Sequence, residues 1–283
     1  MRRLASVFAV VSVAMTAFGT QPVQAQEKVY AYCVELGVPG VTQRPVSELT
    51  RLVRESGFDG IGFPILVNPE LDETLRASDE AGLKVYVLHV PIKFGPDGAQ
   101  YDSRSRESIL KLKGRPVTIV VTLGGLKPGD PEGMEPAVRA LRELGDVAAQ
   151  AGVRISLYNH LDTWNESVAQ NIEVVRKVNH PQVGYNFNVS HWVPLEGDKD
   201  YRPLLRANAD KLFCLIICGS QIGGKGQVLP LGQGNFDNRA LLKSVREIGY
   251  KGPIGIMFYS IPGDPNDLLN QAMKTWKSWQ PAW

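Results

Sequence analysis

The chain has 283 residues, of which 43% are hydrophobic and 21% charged, a balance that fits one large globular domain. Its 31 basic and 29 acidic residues nearly cancel, and the two arginines within residues 1–25 account for the whole excess. A chain without a net basic face carries no electrostatic footprint for a polyanion, which argues against a nucleic-acid partner.

The chain opens on Met1-Arg2-Arg3, continues through an apolar run from Leu4 to Gly19, and reaches Val23-Gln24-Ala25. A basic start, a short apolar stretch and small residues at the −3 and −1 positions describe a secretory signal peptide. The run is shorter than the roughly 20 residues of a membrane span. The expected product is residues 26–283, a soluble periplasmic or secreted domain with no membrane anchoring after cleavage.

From there short β-rich runs alternate with helical patterns eight times. The strand candidates are residues 29–35, 59–63, 84–89, 117–121, 153–158, 182–187, 211–217 and 253–258, and helical spacing marks 46–56, 136–151, 167–178, 238–248 and 266–276. Strand followed by helix, repeated, implies a parallel sheet with crossovers. Eight such units in roughly 250 residues predict a single-domain (β/α)8 barrel. Gly57, Gly82, Gly152 and Gly249 fall between a helix and the next strand, where left-handed caps belong. Asp264-Pro265 supplies an N-cap and a first-turn proline for the last helix.

Cys33, Cys214 and Cys218 are odd in number. The last two lie four apart in a strand, about 13 Å between Cα atoms, whereas a disulfide needs less than about 7 Å. All three are expected as buried free thiols. The Gly/Pro-rich stretch 219–234 reads as one long loop after the seventh strand. Within it Gly219 to Lys225 fits G-x-x-x-x-G-K, but Gly226 stands where Ser or Thr belongs and no helix follows, so a nucleotide loop is not expected. Asn165 and Asn188 each head a glycosylation pattern at site-like positions, where a chance match is the simpler reading.

The working face of such a barrel is the C-terminal end of its strands. Those ends carry Glu35, Pro64, His89, Thr122, Tyr158 to His160, Asn186 to Trp192, Cys218 to Gln221, and Met257 to Ser260. Segments 152–160, 183–192, 234–237 and 248–255 (Gly-Val-Arg-Ile-Ser-Leu-Tyr-Asn-His, Val-Gly-Tyr-Asn-Phe-Asn-Val-Ser-His-Trp, Gly-Asn-Phe-Asp and Ile-Gly-Tyr-Lys-Gly-Pro-Ile-Gly) resemble the xylose isomerase-like TIM barrels, the sugar phosphate isomerase/epimerase group. With its leader, the chain resembles an exported, largely bacterial branch.

The resemblance implies a divalent cation held by two glutamates, an aspartate and a histidine from strands five to eight, polarising a sugar while carboxylates move a proton. Those positions fall here on Tyr158, Asn188, Ile216 and Met257. Tyrosine is a poor ligand at neutral pH and the other three offer a hard cation no charge. No metal and no other cofactor is expected.

His160 and His191 match substrate-contacting positions and are the expected catalytic pair. Glu35, His89, Tyr158, Asn188, Trp192 and Lys225 are the expected substrate contacts, Lys225 because loops after strands seven and eight often hold phosphate in such barrels. The combined expectation is an exported sugar isomerase/epimerase-like enzyme moving a proton on a small carbohydrate. A non-catalytic carbohydrate-binding barrel is the alternative. Expression with the native leader should yield a product whose intact mass begins at Gln26; a membrane-bound species retaining residues 1–25 would show an anchor instead.

Overall fold

The computed structural model describes residues 27–63 and 70–280. The predicted leader, Pro64 and Trp283 lie outside the described residues. Within them the chain runs β1 (Val29–Tyr32), α1 (Val46–Glu55), β2 (Gly60–Gly62), α2 (Glu70–Glu80), β3 (Lys84–Gly95), β4 (Gly98–Gln100), α3 (Arg104–Lys111), β5 (Thr118–Gly124), α4 (Met134–Ala151) and β6 (Arg154–Leu157). It continues through α5 (Val168–Val178), β7 (Val183–Asn188), α6 (Val189–Glu196), α7 (Arg202–Arg206), β8 (Leu212–Ile217), α8 (Asn238–Glu247), β9 (Ile254–Met257) and α9 (Pro265–Trp279).

Eight of these strands pair in parallel around a closed ring, β1-β2-β3-β5-β6-β7-β8-β9 and back to β1. This is the (β/α)8 TIM barrel that the alternation predicts. β4 stands outside the ring and pairs antiparallel with the end of β3, Lys93 opposite Gln100. The third strand therefore does not end at His89, as the sequence suggests, but runs on to Gly95. Pro91 disguises this continuation. β2 pairs with β3 only as far as Val87, so beyond that point proline's missing N–H interrupts no ladder with β2.

The lower barrel is filled by tyrosine rings set against glycines. Tyr30 packs 5.7 Å from Tyr86 and 6.5 Å from Tyr32 between ring centroids. A Cβ added at Gly255 would lie 2.5 Å from Tyr30 Cζ, and one at Gly62 would lie 2.6 Å from Tyr32 Cδ2. The glycines in the strand ladders thus make room for aromatic rings of neighbouring strands, which fill the interior as in a packed core.

The helix ends follow their sequence signals. Gly57, Gly82, Gly152 and Gly249 all take positive φ, and Asp264 accepts from the backbone N–H groups of Asn266 and Asp267. The three cysteines are buried and free. Trp276 lies on the buried face of α9, and Trp279 packs partly buried against the core. Among the described residues no helix is long and apolar enough to cross a membrane.

Because the Tyr30 ring has no room to retreat, Gly255→Ala should cost about 1–3 kcal/mol through overpacking. Thermal unfolding should show a melting temperature several degrees lower; an unchanged value would mean the barrel interior is looser than this packing.

Candidate active site

The mouth is built on the ends of β6 and β7. Asn159 ties these strands together, accepting from Asn188 N at 2.9 Å and donating to Asn188 O at 3.2 Å. Asn165 reaches back from the following loop to accept from Leu123 N at 2.8 Å and to donate to Tyr158 O at 3.0 Å. Both asparagines are fully buried, as is Asn188, so neither glycosylation pattern is accessible in the folded protein. α6 begins directly after β7, and Asn188 caps it by accepting from Ser190 N and Ser190 Oγ at 2.9 and 2.8 Å. His191 is consequently placed in the first turn of a helix rather than on a trailing loop.

These elements surround a cavity of about 290 Å³, near the lower end of ligand sites, roughly 300–1,000 Å³. Its polar wall is His89, His160, Ser190 and His191, with Tyr158 between them. The His160 and His191 rings stack with centroids 4.1 Å apart and planes at 36°. The Tyr158 ring lies 5.8 Å from His160, 5.5 Å from His191 and 6.4 Å from His89. His89 Nε2 is hydrogen-bonded to Thr122 Oγ1 at 2.9 Å.

The backbone of Leu161 sorts the stacked pair. Its carbonyl lies 2.8 Å from His160 Nδ1, and a carbonyl only accepts, so Nδ1 of His160 carries the hydrogen. Its N–H donates to His191 Nδ1 at 3.3 Å, so in neutral His191 the hydrogen is on Nε2. One residue therefore assigns the two rings opposite tautomers. His160 keeps a lone pair on Nε2 and His191 keeps an N–H there.

Burial pulls the His191 imidazole down to about 3, with neighbouring His160 adding to the effect. His191 thus remains a neutral donor at physiological pH. Tyr158 is pushed well above the ordinary tyrosine range by burial, and nearby Cys33, Cys214 and Cys218 add to the rise. It stays a phenol, with its oxygen accepting from the Asn188 amide.

The structure gathers His89, Tyr158, His160 and His191 at the cavity and places Asn188 behind Tyr158. The remaining expected contacts lie elsewhere. Glu35 does not reach the cavity: β1 ends at Tyr32, the chain turns through positive φ at Cys33 and Glu35, and the buried carboxylate pairs with the Arg44 guanidinium and accepts from Arg44 N. It clasps the β1–α1 loop. Trp192 points to the other side of α6, where it packs 5.1 Å from Phe187. Lys225 is exposed on the 219–234 loop, of which Gly226 and Val228 are the residues that line the cavity.

Tyr32 and Tyr259 also line it, the first unnamed in the sequence reading and the second named there only within the strand end Met257 to Ser260. Period-two alternation from Tyr30 would have found the first. Of the four positions that the resemblance assigns to metal ligands, Met257 lines the cavity, Tyr158 and Asn188 bond each other, and Ile216 is buried in β8. Among the described residues no three His, Cys, Asp or Glu side chains are grouped to hold an ion. This donor set does not fit a hard dication.

The pH consequence has a definite sign. Unfolded His191 titrates near 6.5, so below that value the unfolded chain takes up a proton that the folded site refuses. Stability is lost as pH falls from about 6.5 towards about 3, by up to about 1.4 kcal/mol per pH unit. Between pH 7 and 5 the melting temperature of His191→Gln should decline less than that of the parent; equal slopes would mean that the imidazole titrates freely.

The model of the xylose isomerase-like TIM barrel family matches residues 50–279. No curated protein matches the chain. Among solved structures, D-allulose 3-epimerase from Methylomonas sp. in complex with D-allulose is 16% identical with a TM-score of 0.67, covering 89% of this chain and 96% of its own. 3-Keto-D-glucoside 4-epimerase from E. coli is 20% identical with a TM-score of 0.65, covering 89% and 98%. An AP endonuclease of family 2 from Brucella melitensis is 17% identical with a TM-score of 0.64, covering 86% and 97%. At these identities the likeness is one of fold, whereas the family model spans most of the chain. The chain belongs to the xylose isomerase-like TIM barrel family.

Proposed function

We propose that this protein is an exported isomerase or epimerase of a small carbohydrate, and that His160 and His191 perform its proton transfer without a metal ion. The observation that carries this reading is the complementary pair of Nε2 atoms, one a free acceptor and one a donor, on the wall of a cavity of ligand size. Sugar epimerases among the structural neighbours support the substrate class. The leader supports export, and the balanced charge of the chain supports a small molecule over a nucleic acid.

In this mechanism His160 Nε2 takes the proton from the carbon beside a sugar carbonyl. The C–H bond breaks, an N–H bond forms, and the electron pair passes into an enediolate. His191 Nε2–H, kept neutral by burial, donates to the oxygen on which charge develops. Proton return from His160 to the neighbouring carbon, with the hydroxyl proton passing from the first oxygen to the former carbonyl oxygen, completes an isomerisation. Return to the opposite face of the same carbon completes an epimerisation and needs a second donor, for which His89 is the remaining imidazole on the wall.

One observation favours a second reading, a carbohydrate-binding protein without catalysis: no aspartate or glutamate lines the cavity. Proton NMR of candidate ketoses in deuterated water with EDTA-treated protein separates the two. Exchange of a carbon-bound proton that survives chelation, and falls by about 10²-fold or more in His160→Ala with little change in melting temperature, is the expected result. Bound sugar without exchange would favour the binding protein. Exchange abolished by EDTA, together with one equivalent of metal in elemental analysis, would refute the metal-free mechanism.

A further inference from the structure

We infer that the cavity takes an uncharged sugar, whose ring face rests on Tyr259, and that it excludes phosphorylated sugars. The inference rests on the carbohydrate reading above and narrows it to a substrate class.

None of the residues around the cavity is Asp, Glu, Lys or Arg. Beyond the imidazoles, Ser190 and Cys33, the wall is tyrosine, leucine, valine, methionine and Gly226. Of the charged residues that the sequence places at the mouth, Glu35 is held by Arg44 and Lys225 is exposed on its loop. His191 stays neutral and supplies no compensating charge. A phosphate dianion entering this space would give up its water without gaining a cation, a transfer that is strongly unfavourable.

Tyr259 supplies the other half of the argument. Of the four large apolar side chains that the described residues leave exposed, Val41, Leu110, Leu195 and Tyr259, only Tyr259 lines the cavity, and it is 49% exposed. The residues on either side of it are tied to the segment from Tyr32 to Gly37 by three hydrogen bonds. Phe258 N donates to Tyr32 O at 2.9 Å, Ser260 N to Leu36 O at 2.6 Å, and Ser260 Oγ to Gly37 O at 2.8 Å. The ring lies over Gly37, where a Cβ would stand 2.5 Å from Tyr259 Cζ and where φ is +71°. Only glycine fits beneath it. An aromatic ring held in place and left half in water suits the C–H face of a pyranose, whose hydroxyls then point outward, and little ordering cost remains at binding.

Isothermal titration of the mature protein with D-fructose, fructose 6-phosphate and methyl β-D-glucopyranoside tests both halves. The free sugar should bind at least about 30-fold more tightly than its phosphate ester. Tyr259→Ala should weaken the ring-locked glycoside about tenfold, and Tyr259→Phe should restore it, with melting temperatures alike in all three proteins. Equal or tighter binding of fructose 6-phosphate overturns the exclusion while leaving a carbohydrate function standing, and its loss in Lys225→Ala would assign that binding to the loop. Unaltered glycoside affinity in Tyr259→Ala overturns the platform. Binding of none of the three sugars overturns the carbohydrate reading itself.

Discussion

Leu161 offers its N–H to one imidazole and its carbonyl to the other, and the chemistry of the site depends on that division. Two stacked histidines with no such constraint would exchange tautomers freely and carry no fixed roles. With it, His160 presents an acceptor and His191 a donor to the same cavity. The strand and helix ends set the spacing: His160 follows the end of β6, and His191 sits in the first turn of α6, which opens directly after β7. Ring stacking at 4.1 Å is the geometric result.

Tyr158 forms the floor against which the pair packs. Burial keeps it a phenol, and the Asn188 amide holds its oxygen. A carboxylate at this position would need compensating charge, and the surrounding Ile216, Met257 and free thiols provide none. Tyr158, Asn188, Ile216 and Met257 thus contribute neutral, hydrogen-bonded or apolar groups at these strand ends. Buried amides stiffen the rim around them. Asn159 joins β6 to β7, Asn165 joins the loop after β6 to β5, and Ser260 joins the β9 loop to the β1 loop. The two buried asparagine contacts give these loops the precision of scaffold elements.

The barrel was legible in the sequence because its signals are local: alternating strand and helix periods, glycines past helix ends, Asp264-Pro265 before α9. The pocket was legible where it follows from strand order, at His89, Tyr158, His160 and His191. It failed where the chain leaves the strand early. Glu35 looks like a strand-end carboxylate, yet positive φ at Cys33 and Glu35 turns it into the β1–α1 loop, and no local pattern announces Arg44 as its partner. Trp192 was misjudged because the helix begins at once after β7, which changes the periodicity from two to 3.6 and sends adjacent side chains apart. Tyr259 owes its place to Gly37, more than two hundred residues earlier, a contact that only the closed ring creates.

The chain has four histidines, so each imidazole can be assigned individually by NMR. Long-range nitrogen–proton correlation spectra of the ring nitrogens at pH 8 test the central claim most directly. The account predicts that His160 is the Nδ1–H tautomer and His191 the Nε2–H tautomer, and that His191 stays neutral as the pH is lowered through 5. The same tautomer on both rings, or protonation of His191 near pH 6.5, would contradict it.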